Sequence, residues 1–144
     1  MQILTPDTEA DFTRYFDLRW RILRAPWDQP RGSERDALED QCWHRMACQD
    51  DRIPIGVARL QRNSPEQGQI RYMAVEPAWR GRGVGRALAE ELELQARALG
   101  MNEIVLDARE ESVAFYRRLG YGIVGPSHTL FGTIRHSAMR KRLR

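Results

Sequence analysis

The chain has 144 residues, 42% of them hydrophobic and 30% charged, and a formal net charge of +3. That is length enough for one domain, residues 1–144, with its own core. No apolar run approaches the ~20 residues of a membrane helix, no charged-then-apolar leader precedes the body, and so mild a positive charge argues weakly for nucleic acid. The expectation is a globular chain, cytoplasmic by default, with neither membrane nor nucleic acid as partner.

Met1–Leu4 is a short apolar start that suits an edge strand, and Thr5-Pro6-Asp7 breaks and caps. Apolar residues at 12, 15, 16, 18, 20, 22 and 23 predict a helix to about Leu23, ended by Pro26. Its arginines, Arg14, Arg19, Arg21 and Arg24, are expected in solvent. Pro26–Asp40 reads as a loop with one short helical turn, its five acids solvated. Trp27 within it either lines a pocket or plugs a hydrophobic gap.

Cys42–Cys48 and Ile53–Leu60 form a predicted hairpin turning at Asp50-Asp51-Arg52, and Gln69–Val75 adds a third antiparallel strand. Cys42 and Cys48 in one strand stand about 20 Å apart, too far for a disulfide. Cys42 and His44 share a face, yet no second pair completes a ligand set, so no metal is expected.

After Val75, Pro77 stops the strand, and glycines at 81, 83 and 85 open a helix. Glycine lets the chain turn tightly and leaves its N–H groups uncovered. With the positive end of the helix behind them, those groups make a seat for a phosphate or pyrophosphate. Arg80, Arg82 and Arg86 surround it with charge. Arg86 stands where a dinucleotide fingerprint needs its third glycine, and no lysine follows Gly85 as a Walker loop requires. The competing reading is a strand-to-helix turn that binds nothing.

The helix from Gly85 carries Val84, Leu88, Leu92, Ala96 and Leu99 on one stripe, and Gly100 caps it. Ile104–Leu106 suits a strand covered on both faces, so residues 70–106 form a strand–helix–strand crossover with parallel pairing. Glu111–Leu119 is a second short helix after that crossover helix. Tyr121–Val124 and Thr133–Met139 close the chain as a hairpin, and Arg140–Arg144 is expected as a frayed, solvated tail.

The stretch Arg80-x-x-Gly83-x-Gly85, preceded by Val75-x-Pro77 and an aromatic residue, resembles the pyrophosphate loop of the GCN5-related N-acetyltransferases (GNAT). Phe115-Tyr116-Arg117-Arg118-Leu119-Gly120-Tyr121 is similar to a second motif of that family, in the right order and at the right distance. The element order β, α, β, β, β, α, β, α, β, β is also the family's. Leu106–Arg109 with its short connection to Phe115-Tyr116, and more weakly Ile134-Arg135-His136, look like the ElaA-type subgroup. The resemblance implies an α+β acyl-CoA N-acyltransferase fold, with a mixed, mostly antiparallel central sheet flanked by helices. It implies acetyl-CoA as co-substrate. Met73, Ala74 and Val75 would hydrogen-bond its pantetheine arm, and Arg80, Gly81, Arg82, Gly83, Val84, Gly85 and Arg86 would wrap its diphosphate. Tyr116 would protonate the leaving sulfur. Arg109 stands where many relatives carry an asparagine that contacts the pantetheine, and as a cofactor-binding residue it would donate there in the asparagine's place.

Acyl transfer from a thioester to a neutral amine needs an acceptor for the amine proton, donors for the oxyanion and a proton for the thiolate. No covalent intermediate is required, and neither cysteine has an activating partner in sequence. Glu34, His44 and His136 are the candidates on the acceptor side, histidine because it titrates in the useful range. The acceptor is expected to be a primary amine of a small molecule or peptide. The alternative is a non-catalytic CoA-binding module of the same fold. Exposed strands near the end would permit pairing in a homodimer.

Overall fold

The computed structural model describes residues 1–144. The chain runs β1 (Gln2–Leu4), α1 (Glu9–Leu23), β2 (Trp43–Cys48), β3 (Pro54–Arg62), β4 (Gln67–Val75), α2 (Val84–Ala98), β5 (Glu103–Arg109), α3 (Val113–Arg118), β6 (Gly122–Leu130) and β7 (Ile134–Arg142). This is the α+β order anticipated from periodicity. Single 3₁₀ turns interrupt the connections, two of them (Ala25–Trp27 and Glu39–Gln41) at the ends of the irregular loop. No helix is long and apolar enough to cross a membrane.

The seven strands form one sheet in the order β1-β2-β3-β4-β5-β7-β6. All neighbours are antiparallel except β4 and β5, which the α2 crossover makes parallel. Helix α1 begins where Thr8 Oγ accepts the Asp11 amide at 3.0 Å and Asp11 returns a carboxylate oxygen to the Thr8 amide. Such a reciprocal box satisfies donors that a helix start otherwise leaves bare. The cap therefore lies one residue beyond the predicted triplet.

The two long helices cover opposite faces. Tyr15, Leu18 and Leu23 of α1 pack with Met46, Val57 and Ala74, while Val84, Leu88, Leu92 and Ala96 of α2 pack with Ala58, Leu60, Ile70 and Ile104. Ile70 and Ala74 thus point to opposite faces although they stand four positions apart, an even step that should keep them on one face. The cause is a bulge: Val57 pairs with Ala74 but Arg59 with Arg71, so β4 carries one surplus residue, and Tyr72 takes a left-handed φ of 57°. Bulges bend a strand and increase its twist. Pairing of β4 with β5 accordingly ends at Gln69↔Val105, and the two strands diverge beyond it.

Charge burial departs from expectation. Arg19 is fully buried rather than solvated, with Nη1 on Glu39 Oε2 at 2.9 Å. Arg59 is fully buried too, forked onto Asp36 at 2.7 and 2.9 Å and contacting the same Glu39 oxygen. Two of the loop's acids, Glu34 and Glu39, are buried, which ties residues 34–39 to the sheet. Cys42 precedes β2 rather than sharing a strand face with His44, and Arg140–Arg142 belong to β7 instead of a frayed tail.

This network sets an acid limit on stability. The Arg59 guanidinium holds the Asp36 carboxyl down at about 2, and burial lowers His44 below the usual imidazole range. In each case the unfolded chain takes up a proton before the folded one does, so stability is lost as pH falls. Melting temperature should be flat above about pH 7, decline through the imidazole range and fall more steeply below about pH 4. A thermal-melt series from pH 8 to 3, as an experimental design, checks this; a profile unchanged down to pH 3 would contradict it.

Candidate active site

Divergence of β4 and β5 opens a cleft of about 650 Å³ through the sheet, between the N-terminus of α2 on one face and the end of α1 on the other. Met73, Ala74 and Val75 line one wall and Leu106–Arg109 the other. The strand segment 73–75 has lost β5 as a neighbour, so its backbone on that side is available to an extended guest.

At the α2 end the glycines divide their work. Gly81 (φ 74°) and Gly83 (φ 82°) hold left-handed conformations, and an added Cβ at either would point into open space. Gly85 is needed for a different reason: its Cβ would lie 2.9 Å from the Phe115 ring. The first helical bond of α2 runs from the Ala87 amide to Gly83 O, and no side chain caps the helix. The amides of Val84, Gly85 and Arg86 therefore precede the ladder, as an anion seat requires. Arg80, Gly81, Gly83, Val84, Gly85 and Arg86 all line the cleft. Arg82 does not; its guanidinium lies 5.2 Å from the Trp79 ring centroid. Arg118 of α3 reaches the cleft and went unanticipated.

Tyr116 projects from α3 into this cleft. It is 7% exposed and packs edge-on against Phe115 and Tyr121. Burial alone pushes its phenol above the ordinary tyrosine range, and the hydroxyl is absent from the protein's hydrogen bonds and from its fully buried polar atoms. Tyr121 nearby is the structural counterpart, donating to Glu93 at 3.0 Å.

The proposed acceptor-side residues separate. His136 lines the cleft, its Nδ1 3.0 Å from Ile134 O. A carbonyl only accepts, so the proton sits on Nδ1 and Nε2 carries the ring's lone pair. Burial, and then the neighbouring His128, lower its pKa. Glu34 and His44 lie elsewhere, in a crevice between α1 and the irregular loop. Glu34 Oε1 takes the Gly32 amide at 2.8 Å. Both nitrogens of His44 are engaged, Nε2 by Glu39 O at 2.8 Å and Nδ1 by the Tyr15 hydroxyl at 2.9 Å. Asp36 and Glu39 of the loop meet arginines of α1 and the sheet, which holds the loop over this crevice and away from the cleft.

His128 is a second cleft residue the sequence did not point to. It stacks on His136 with ring centroids 4.3 Å apart, and Ser127 beside it donates to Asp107 at 2.7 Å. The expected end of β6 at Val124 left it in a turn, whereas β6 runs on to Leu130. Arg109 lines the cleft with its guanidinium 4.6 Å from the Trp27 ring centroid and Nη2 on Leu23 O at 3.3 Å. Trp27 thus supports a cleft residue rather than merely filling a gap.

Comparison with known proteins agrees with this architecture. An uncharacterized N-acetyltransferase of Bacillus subtilis, YjcF, is 26% identical over 141 residues, covering 98% of this chain and 99% of that protein. Among solved structures, a putative N-acetyltransferase from Lactobacillus plantarum superposes with TM-score 0.85 at 23% identity, covering 99% of this chain and 98% of that one. An aminoglycoside 6'-N-acetyltransferase complexed with coenzyme A superposes at 0.81 and 19% identity, covering 100% and 98%. Escherichia coli ElaA does so at 0.78 and 20%, covering 97% of each chain. Residues 12–121, from α1 to the tyrosine that follows α3, match the sequence profile of the Acetyltransferase (GNAT) family, and the chain belongs to that family.

Proposed function

We propose that this single domain is an acetyl-CoA-dependent N-acetyltransferase that passes its acetyl group directly to a primary amine of a small molecule or peptide. The observation that carries the reading is one cleft holding an uncapped glycine-rich helix start, an unpaired strand segment and an unpartnered phenol together. The coenzyme A bound by the fold's aminoglycoside-modifying neighbour supports the choice of co-substrate.

The residues present suit such a guest. Amides at 84–86, with Arg80 and Arg86, offer donors and charge to a diphosphate, while the free side of Met73–Val75 can hydrogen-bond the amides of the pantetheine arm. The thioester supplies an activated acetyl carbon. As the amine nitrogen bonds to that carbon and the C–S bond breaks, His136 Nε2 accepts the amine proton and Tyr116 gives its own to the sulfur. A phenol pushed upward by burial remains protonated at neutral pH, which an acid requires. A histidine held below its usual range remains neutral there, which a base requires. His44 and Glu34 take no part in this scheme.

The test is direct. Acetyl-CoA at about 100 times its dissociation constant should add about 2.7 kcal/mol of stability, read as a rise in melting temperature, with no comparable rise from NADH or ATP. No stabilisation by the CoA ester would end the reading. Amine-dependent thiol release then separates an enzyme from a module that only binds CoA.

A further inference from the structure

Six arginines line the cleft, and they differ in what balances them. Arg71 has Asp36 at 3.3 Å, and Arg86 has Glu90 at 2.8 Å. The buried arginines just behind the cleft, Arg19 and Arg59, likewise meet carboxylates. The other four cleft arginines meet none: Arg80, which belongs to the co-substrate's anion seat, Arg118 of α3, and, at the α1 end, Arg24 and Arg109. Arg24 donates to Ser33 O at 3.0 Å and to Leu23 O at 3.0 Å; Arg109 donates to the same Leu23 oxygen at 3.3 Å. Both are half-buried, and burial lowers the pKa of each. Two guanidinium groups so converge on one carbonyl, with most of their five N–H donors apiece unclaimed. Coulomb repulsion and desolvation both act against that arrangement. Aromatic faces (Tyr72 and Phe131 for Arg24, Trp27 for Arg109) and the more distant Glu34 and Glu111 offset them only in part, and no carboxylate forms an ion pair with either. A guest bearing negative charge would.

The anion seat for the co-substrate lies at the other end, on the α2 face, so its diphosphate does not answer for these two charges. Asp36 and Glu39 of the irregular loop are committed to Arg19, Arg59 and Arg71, and Glu34 faces the separate crevice, so these acids offer Arg24 and Arg109 no ion pair. We infer that Arg24 and Arg109 form an oxyanion clamp for the acceptor, so that the amine acetylated here belongs to a molecule that also carries a carboxylate or a phosphate. This rests on the acetyltransferase reading and narrows its substrate class. Paired guanidinium forks suit either planar carboxylate or phosphate.

The experiment compares matched amines in an acetyl-CoA assay read by thiol release: β-alanine against β-alaninamide, and O-phosphoethanolamine against ethanolamine. One or both anionic members should be favoured by at least about tenfold in kcat/KM, and which pair shows it distinguishes carboxylate from phosphate. Arg24→Gln and Arg109→Gln should each collapse that preference through KM, and Arg24→Lys should restore part of it. Equal use of the neutral members, or a preference that survives both glutamine variants, overturns the inference while leaving acetyl transfer standing. In parallel, the same amines are titrated into the CoA-loaded protein while the arginine Nε–Hε signals are followed by NMR. Shifts produced only by the anionic members support the clamp even where no amine is turned over, a result that removes the enzymatic reading alone. No such shift together with no turnover removes both.

Discussion

Tyr116→Phe should cut the rate of acetyl transfer by about a hundredfold or more, equivalent to about 2.7 kcal/mol of transition-state stabilisation, with KM for acetyl-CoA little changed. The size follows from the role: a positioned acid at the leaving sulfur is worth that much when the alternative proton donor is water. The structure makes this a clean substitution. The hydroxyl touches the cleft and takes no part in the protein's own hydrogen bonds, so its removal leaves no buried partner stranded. The ring, which packs with Phe115 and Tyr121, is retained. Melting temperature should therefore stay close to wild type while turnover collapses. Steady-state kinetics beside a thermal melt separates the two, and undiminished turnover would remove Tyr116 from the mechanism.

The opposite pattern is expected at Arg59. Arg59→Met should cost about 3–5 kcal/mol of stability, the range for breaking a buried ion pair from one side. For a chain of this size that is about 10 °C or more in melting temperature. Arg59 is fully buried and grips Asp36 with both ends of its fork while touching Glu39, which is itself 6% exposed and shared with Arg19. Methionine fills much of the volume but leaves Glu39 with one cation and Asp36 with only the outlying Arg71. The irregular loop is tied down largely through these acids, so its release should be visible as faster hydrogen exchange over residues 34–41. A variant melting within a degree or two of wild type would show that the network contributes little.

Much of the fold was legible because it rests on local periodicity. The apolar stripe of α2, the glycine stops and the short buried run at β5 each carry their own signal, and the element order follows. The phosphate seat was legible for the same reason, since loop and helix start are contiguous. What escaped depends on partners remote in sequence. Arg19 looked like any helix-face charge because its counter-ion, Glu39, comes from the far end of a loop. His44 looked like a candidate base because nothing nearby in the chain announced that Tyr15 and Glu39 O would occupy both its nitrogens. His128 was hidden by the length of β6, whose exposed outer residues give no alternation to follow. The cleft itself was invisible, because the surplus residue that bends β4 leaves no mark of its own in Gln69–Val75.

The extra residue near Tyr72 has an implication for how this protein can vary. Since it reverses which side each later amino acid of that strand faces, a three-nucleotide deletion there would do more than shorten a wall. It would turn Met73, Ala74 and Val75 inside out and let the neighbouring strand zip shut along its length. Exchanging one side chain for another at this point is a small perturbation; changing the tally of codons would erase the doorway.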